Sequence, residues 1–257
     1  MDIHKPKAAH SWREFAVEIG TIICGILIAL SLEQGVEGLH HRHLAEQAED
    51  DLAAGLKPDL VLAAGYQAFE PCEKARIKDL AGLLQSRGAA WAANPAPTYA
   101  GQPPSSAVFP RVVMASNGLW AHAPWEWATT SGVLVYMPRE RVARYAEAYR
   151  IVDLIRSRQA QTFERMQSIA PLAYERTLTD EDKAAYLSAL YGLDDLSTGA
   201  TALSRQLLRE AHYLGIEPDA RSLKQSLDTL RPFGPCVRAV TLPLPDPTGG
   251  LPVAGRS

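Results

Sequence analysis

The chain has 257 residues, a formal net charge of -3, 47% hydrophobic residues and 21% charged ones. That is ordinary globular usage, which excludes a chain disordered throughout. A balance this close to neutral lacks the basic footprint that phosphate neutralisation requires, so nucleic acid is not an expected partner.

Residues 1–11 form a short polar tail with Lys5 and Lys7, followed by Arg13. From Ile19 to Leu32 the chain carries no charge, and extending back to Phe15 adds only Glu18. At 1.5 Å per residue this 15–32 stretch covers about 27 Å, close to the roughly 30 Å hydrocarbon core. Glu18 then lies near one interface, where a carboxylate can reach headgroup water, and Trp12 and Phe15 stand where an aromatic belt would. The spacing therefore predicts a transmembrane helix over 12–34. The competing reading is a cleaved signal peptide, with Ala29-Leu30-Ser31 as a small-x-small site. Glu18 interrupts its apolar core, and helix-compatible sequence runs straight through the cleavage point. Lys5, Lys7 and Arg13 precede the span and only Arg42 follows closely, so the positive-inside rule puts the N-terminus in the cytoplasm and the body outside it.

Within the span, Glu18, Thr21, Gly25 and Ala29 follow three- and four-residue steps and share one stripe. Thr21-x-x-x-Gly25 and Gly25-x-x-x-Ala29 are small-xxx-small pairs of the kind that pack helices in lipid, although a span rich in Ala, Gly and Ile also produces such pairs by chance. His40, His41 and His43 follow, with Glu37 and Glu46. They read as a solvated cluster near headgroups, with a metal set as the alternative on a shared helix face. Leu44, Ala48, Leu52 and Leu56 predict an amphipathic helix ending at Pro58, and a second helix spans 59–85, kinked or broken at Pro71. Residues 35–94 thus read as juxtamembrane helices and 94–106 as a Pro-rich linker, with a short strand over 108–114.

The 95–236 segment predicts a helical exported domain. A helix over 119–130 stops at Ser131-Gly132. Pro138 opens a longer helix whose seam is Val142, Tyr145, Tyr149, Val152, Arg156, Gln159, Phe163, Met166 and Ala170. Thr179 and Asp182 suit a capping box, Gly192 and Gly215 suit helix C-caps, and a last helix covers 219–230. From Pro232 the Pro and Gly density indicates extended or irregular chain, with 237–257 as a tail. The fold class is all-α: a transmembrane helix continuing into a juxtamembrane helix, then a bundle-like domain.

The run Trp12-Arg13-Glu14-Phe15, with Glu18, Gly20-Thr21-Ile22 and Gly25-Ile26-Leu27-Ile28-Ala29-Leu30, resembles the opening of uncharacterised bacterial single-pass membrane proteins. Trp127-x-x-Thr130-Ser131-Gly132-x-Leu134 with Met137-Pro138 is similar to a later segment of theirs. The resemblance implies a bacterial inner-membrane protein with a periplasmic domain, and it implies no activity or catalytic residue.

Chemistry-bearing motifs are sparse. The chain has no Gly-rich phosphate loop, no G-x-S-x-G, no H-E-x-x-H and no C-x-x-C, so no catalytic residue, metal site or cofactor is expected. Cys24 lies in the span, while Cys72 and Cys236 can pair outside the cytoplasm or stand as unrelated buried thiols. Trp120, Trp125 and Trp127 crowd with His122 and Glu126. Seven-residue spacing puts Trp120 and Trp127 on one buried face, and the alternatives are an interaction surface or a His122–Glu126 acid-base pair. The reading that follows is a noncatalytic accessory protein whose partners are the membrane and another envelope protein or a second copy. A ligand or pH sensor and a tethered enzyme are the rival classes.

Overall fold

The structure, a computed structural model, describes residues 12–86, 88–96, 112–115 and 118–243. Among these residues it is almost wholly helical: α1 (Trp12–Ser86), α2 (Ala123–Ser131), α3 (Arg139–Ile169), α4 (Asp180–Leu214) and α5 (Ala220–Leu230). One antiparallel pair, β1 (Ala90–Trp91) with β2 (Arg176–Thr177), closes the end away from the N-terminus. The 1–11 tail, Arg87, most of the 94–106 linker, residues 108–111 of the expected strand, and 244–257 lie outside the described residues. Val112 and Val113, inside that strand expectation, are buried without strand structure.

The first correction is α1 itself. Its 75 residues run as one helix about 112 Å long, with Pro58 and Pro71 inside it, so neither proline ends or breaks it. Proline removes one helical hydrogen bond and disfavours the helix interior. At Pro58 the carbonyl left without that bond belongs to Ala54, which is exposed to water, as is Pro58. At Pro71 the carbonyl left without that bond is that of Gln67; one residue on, Arg238 N–H donates to the Ala68 carbonyl at 2.9 Å, and Cys236 is disulfide-bonded to Cys72. The helix runs unbroken through residues 34 and 35, as a transmembrane helix continuing into a juxtamembrane one does.

Burial divides α1 where secondary structure does not. Apolar side chains from Phe15 to Leu39 are exposed, whereas Ala45, Leu52, Asp59, Tyr66, Glu73 and Leu80, every seventh residue, are buried. Leu56, Ala63, Ile77 and Leu84 bury a second row. This heptad seam faces a bundle in which α3 and α4 run antiparallel, as Arg141 to the Leu214 carbonyl, Arg144 to Glu210 and Gln206 to Glu147 record. Two apolar clusters result, one around Leu52, Tyr149 and Leu207 and one around Leu84, Trp91 and Leu190.

Between the clusters the α3–α4 contact is polar, which corrects Gly192 from a helix end to a packing position. α4 continues through Gly192 and Gly199. A Cβ at Gly192 would sit 3.2 Å from the Arg165 guanidinium carbon, and one at Gly199 would collide with Arg158. Missing side chains let two guanidinium groups of α3 lie on the backbone of α4. The α3 seam also shifts register. Ile151 and Ile155 are buried, while Arg156 and Phe163 of the expected seam are exposed.

Other local signals agree with the sequence. Thr179 and Asp182 form the reciprocal capping box, and Asp219 caps α5 through Ser222 N–H. Gly132 and Gly215 end α2 and α4 with φ of 75° and 73°, the left-handed region that favours glycine. Pro138 sits one residue earlier than expected, as the α3 N-cap.

The tryptophans need a second correction. α2 begins only at Ala123, so Trp120 precedes it and the seven-residue spacing to Trp127 defines no shared face. Trp120 is buried and Trp125 stacks on Tyr149 with ring centroids 5.7 Å apart. Trp127 points the other way and is half exposed.

Candidate functional site

The heptad seam of α1 would ordinarily be apolar, yet its central positions are Asp59, Tyr66 and Glu73. Asp59 is fully buried. Its Oδ1 accepts the Ala121 N–H at 2.9 Å, and Oδ2 has no hydrogen-bond partner. Desolvation pushes its carboxyl up to about 7, opposed by that backbone bond and by the charge of Arg156. Glu73 is raised to about 7 by burial as well, although the Ser197 hydroxyl donates to it at 2.9 Å. Burial and the charge of Glu73 push the Tyr66 phenol up, and Tyr66 packs against Trp120 at 5.8 Å between ring centroids.

A partly buried histidine closes the lower cluster. His122 Nδ1 lies 3.1 Å from Asp153 Oδ1 without a hydrogen bond between them, and Nε2 lies 3.9 Å from Glu126. Its ring meets Tyr149 edge-on, and the Tyr149 hydroxyl donates to the Leu52 carbonyl at 2.9 Å. The segment fits only because residue 55 is glycine, since a Cβ there would lie 2.6 Å from Pro124 Cγ and 2.8 Å from the Tyr149 hydroxyl. The expected His122–Glu126 pair thus exists as a contact, but His122 faces Asp153 more closely. Chemically the Asp59 and Glu73 carboxyls can take up protons near neutral pH inside a helical seam, and the Ser197 hydroxyl that accompanies Glu73 is spent as a donor to it.

Cys72 and Cys236 are bonded, with Cα atoms 4.8 Å apart, and Cys24 is free and exposed. Phe233 stacks edge-on against Phe69 beside the bridge. In the N-terminal half, Thr21 Oγ1 donates to its own helix at the Val17 carbonyl, and a Cβ at Gly25 would meet nothing. Glu18, Thr21, Gly25 and Ala29 therefore face open space. The histidines separate: His41 stacks on Tyr136 at 4.0 Å and lies 3.8 Å from Glu37, while His43 contacts Gln47. Among the described residues no group of three His, Cys, Asp or Glu is placed to hold a metal.

Sequence reasoning missed Asp59 and Glu73. Their signal was present in the heptad from Ala45 to Leu80, which ending a helix at Pro58 cut in two. No protein-family model, no curated protein and no solved structure matches the chain.

Proposed function

We propose that this is a noncatalytic accessory protein of a bacterial envelope complex, held in the inner membrane by the first half of α1, with the N-terminus cytoplasmic and the bundle exported. One observation carries the reading. The helix is long and apolar enough to cross a membrane, and the side chains of its apolar stretch bury nothing within the chain. Soluble monomers rarely leave such a surface uncovered. The basic residues preceding the span support the orientation, and the Cys72–Cys236 bridge suits an oxidising compartment. The resemblance of the 12–30 run to bacterial single-pass proteins supports the same architecture. The polar and small stripe of Glu18, Thr21, Gly25 and Ala29 is the expected contact for a second helix in lipid.

Gentle detergent extraction followed by affinity purification and mass spectrometry tests this. A stoichiometric envelope protein, or a second copy, recovered with the wild type and lost with Gly25→Leu supports it. A clean monomer contradicts it. A second reading, an envelope pH sensor acting through a partner, is favoured by two buried carboxyls that titrate near 7 in the seam continuous with the anchor.

A further inference from the structure

The bundle meets the stalk of α1 at one defined height. The 3-10 turn Val133–Tyr136 follows α2, and its Tyr136 ring stacks on His41 with 4.0 Å between centroids and 13° between planes. Deeper in the fold, Pro124 lies at Gly55 and Ala121 at Asp59. The chain from 121 to 136 therefore descends α1 toward its apolar half, and the turn is the part of that descent nearest the span.

Helix geometry converts this into a depth. Filling about 30 Å of hydrocarbon takes about 20 steps of 1.5 Å, from Phe15 to about Gly35. His41 is then about 9 Å further on. The headgroup layer is about 5–8 Å thick on each side, the difference between roughly 40–45 Å and 30 Å shared by two leaflets. Tyr136 and its neighbour Val135 thus stand at the outer edge of the headgroup layer, within a side chain's reach of it. Val135 is 75% exposed and Tyr136 43% exposed, although both are apolar or aromatic and their neighbours Val133 and Met137 are buried. Arg42 and Arg139 are exposed beside them, with Glu37, Glu46 and Glu140 nearby, so the local charge is close to balanced and apolar insertion rather than net charge would hold the contact.

We propose that the Val133–Tyr136 turn is a membrane foot: it docks Val135 and Tyr136 into the lipid interface of the bilayer that α1 crosses and fixes the tilt of the bundle on that bilayer. An aromatic ring with one wet end is suited to this depth. The inference rests on the reading of α1 as a membrane span, and the test separates the two.

In a Cys24→Ser background, with the Cys72–Cys236 bridge left intact, a nitroxide is attached to Ile26→Cys, Val135→Cys or Ser86→Cys, one at a time. Each full-length protein is placed in phosphatidylcholine vesicles, and collision with oxygen and with a water-soluble nickel complex is measured. The expected result is position 26 oxygen-rich and nickel-poor, position 86 freely reached by nickel, and position 135 between them with nickel accessibility several-fold below position 86. Position 135 as nickel-accessible as 86, while 26 remains in hydrocarbon, overturns the foot and leaves the anchor standing. Shielding of 135 from both reagents also overturns it, because a protein rather than lipid then covers the turn. Nickel access at 26 overturns the anchor and the foot together.

Discussion

Replacing Asp59 by Asn tests whether the seam of α1 carries a carboxyl held out of water. In the folded chain burial lifts that carboxyl from 3.8 to about 7. The folded state therefore binds more protons than the unfolded state between about pH 4 and 7, and stability falls as pH rises through that window. With one pKa unit equivalent to about 1.4 kcal/mol, a rise from 3.8 to about 7 makes the group's penalty larger at pH 8 than at pH 5 by on the order of 2–3 kcal/mol. The amide keeps an oxygen for the Ala121 N–H and cannot ionise. Thermal unfolding of the full chain in mild detergent, followed by far-UV circular dichroism from pH 5 to 8, should therefore show Asp59→Asn flattening the pH slope and stabilising the protein at pH 8. Identical slopes for the two proteins would refute the argument. Glu73 is raised to about 7 by the same cause, so the slope that survives Asp59→Asn should be reduced again by Glu73→Gln.

The half-exposed Trp127 should tolerate Ala with a stability change within about 0.5 kcal/mol. Fully buried Trp91, whose indole N–H donates to the Leu172 carbonyl, should lose about 3–5 kcal/mol on truncation, measured as the same melting curves. A large loss at Trp127 would mean that its α2 face is covered in the folded protein. Gly55→Ala should destabilise by about 1–3 kcal/mol through overpacking against Pro124 and Tyr149, despite a gain of about 1 kcal/mol in helix propensity; a stabilised variant would disprove the close approach. Thiol titration of the unreduced, denatured chain should find one reactive group, Cys24. Breaking the bridge, whose cysteines are 164 residues apart, by Cys72→Ser and Cys236→Ser together should cost up to about 5 kcal/mol in the chain-entropy model. Three titratable thiols would contradict the bridge.

Signals that depend on a few neighbouring residues were legible in the sequence. The Thr179–Asp182 box, the helix stops at Gly132 and Gly215, the last helix near 219–230 and the all-α class rest on local chemistry that tertiary packing did not overrule. The prolines mislead because one missing hydrogen bond each is too small a penalty to end a helix whose seam is buried on both sides: Pro58 leaves only the carbonyl of the exposed residue Ala54 without its bond, and near Pro71 the distant Arg238 N–H and the Cys72–Cys236 bridge hold the helix from outside it. Gly192 reads as an end because its use as a seat for Arg165 exists only once α3 is packed alongside. Seven-residue spacing places Trp127 on a face only when both tryptophans share a helix, and Trp120 lies before α2 begins. The candidate site was hidden for a related reason, since a carboxylate at a heptad position looks like a solvated face until Leu52 and Leu80 on the same row are seen to be buried.

The central claim, that α1 carries the bundle across a membrane, is tested most directly by a reporter enzyme active only outside the cytoplasm, fused after Ser257 and assayed in fractionated bacterial cells. The account predicts activity that sediments with the membranes and stays there in an alkaline carbonate wash. Reporter activity confined to the cytoplasm would contradict the orientation, and an active soluble product beginning near Leu32 would contradict the anchor.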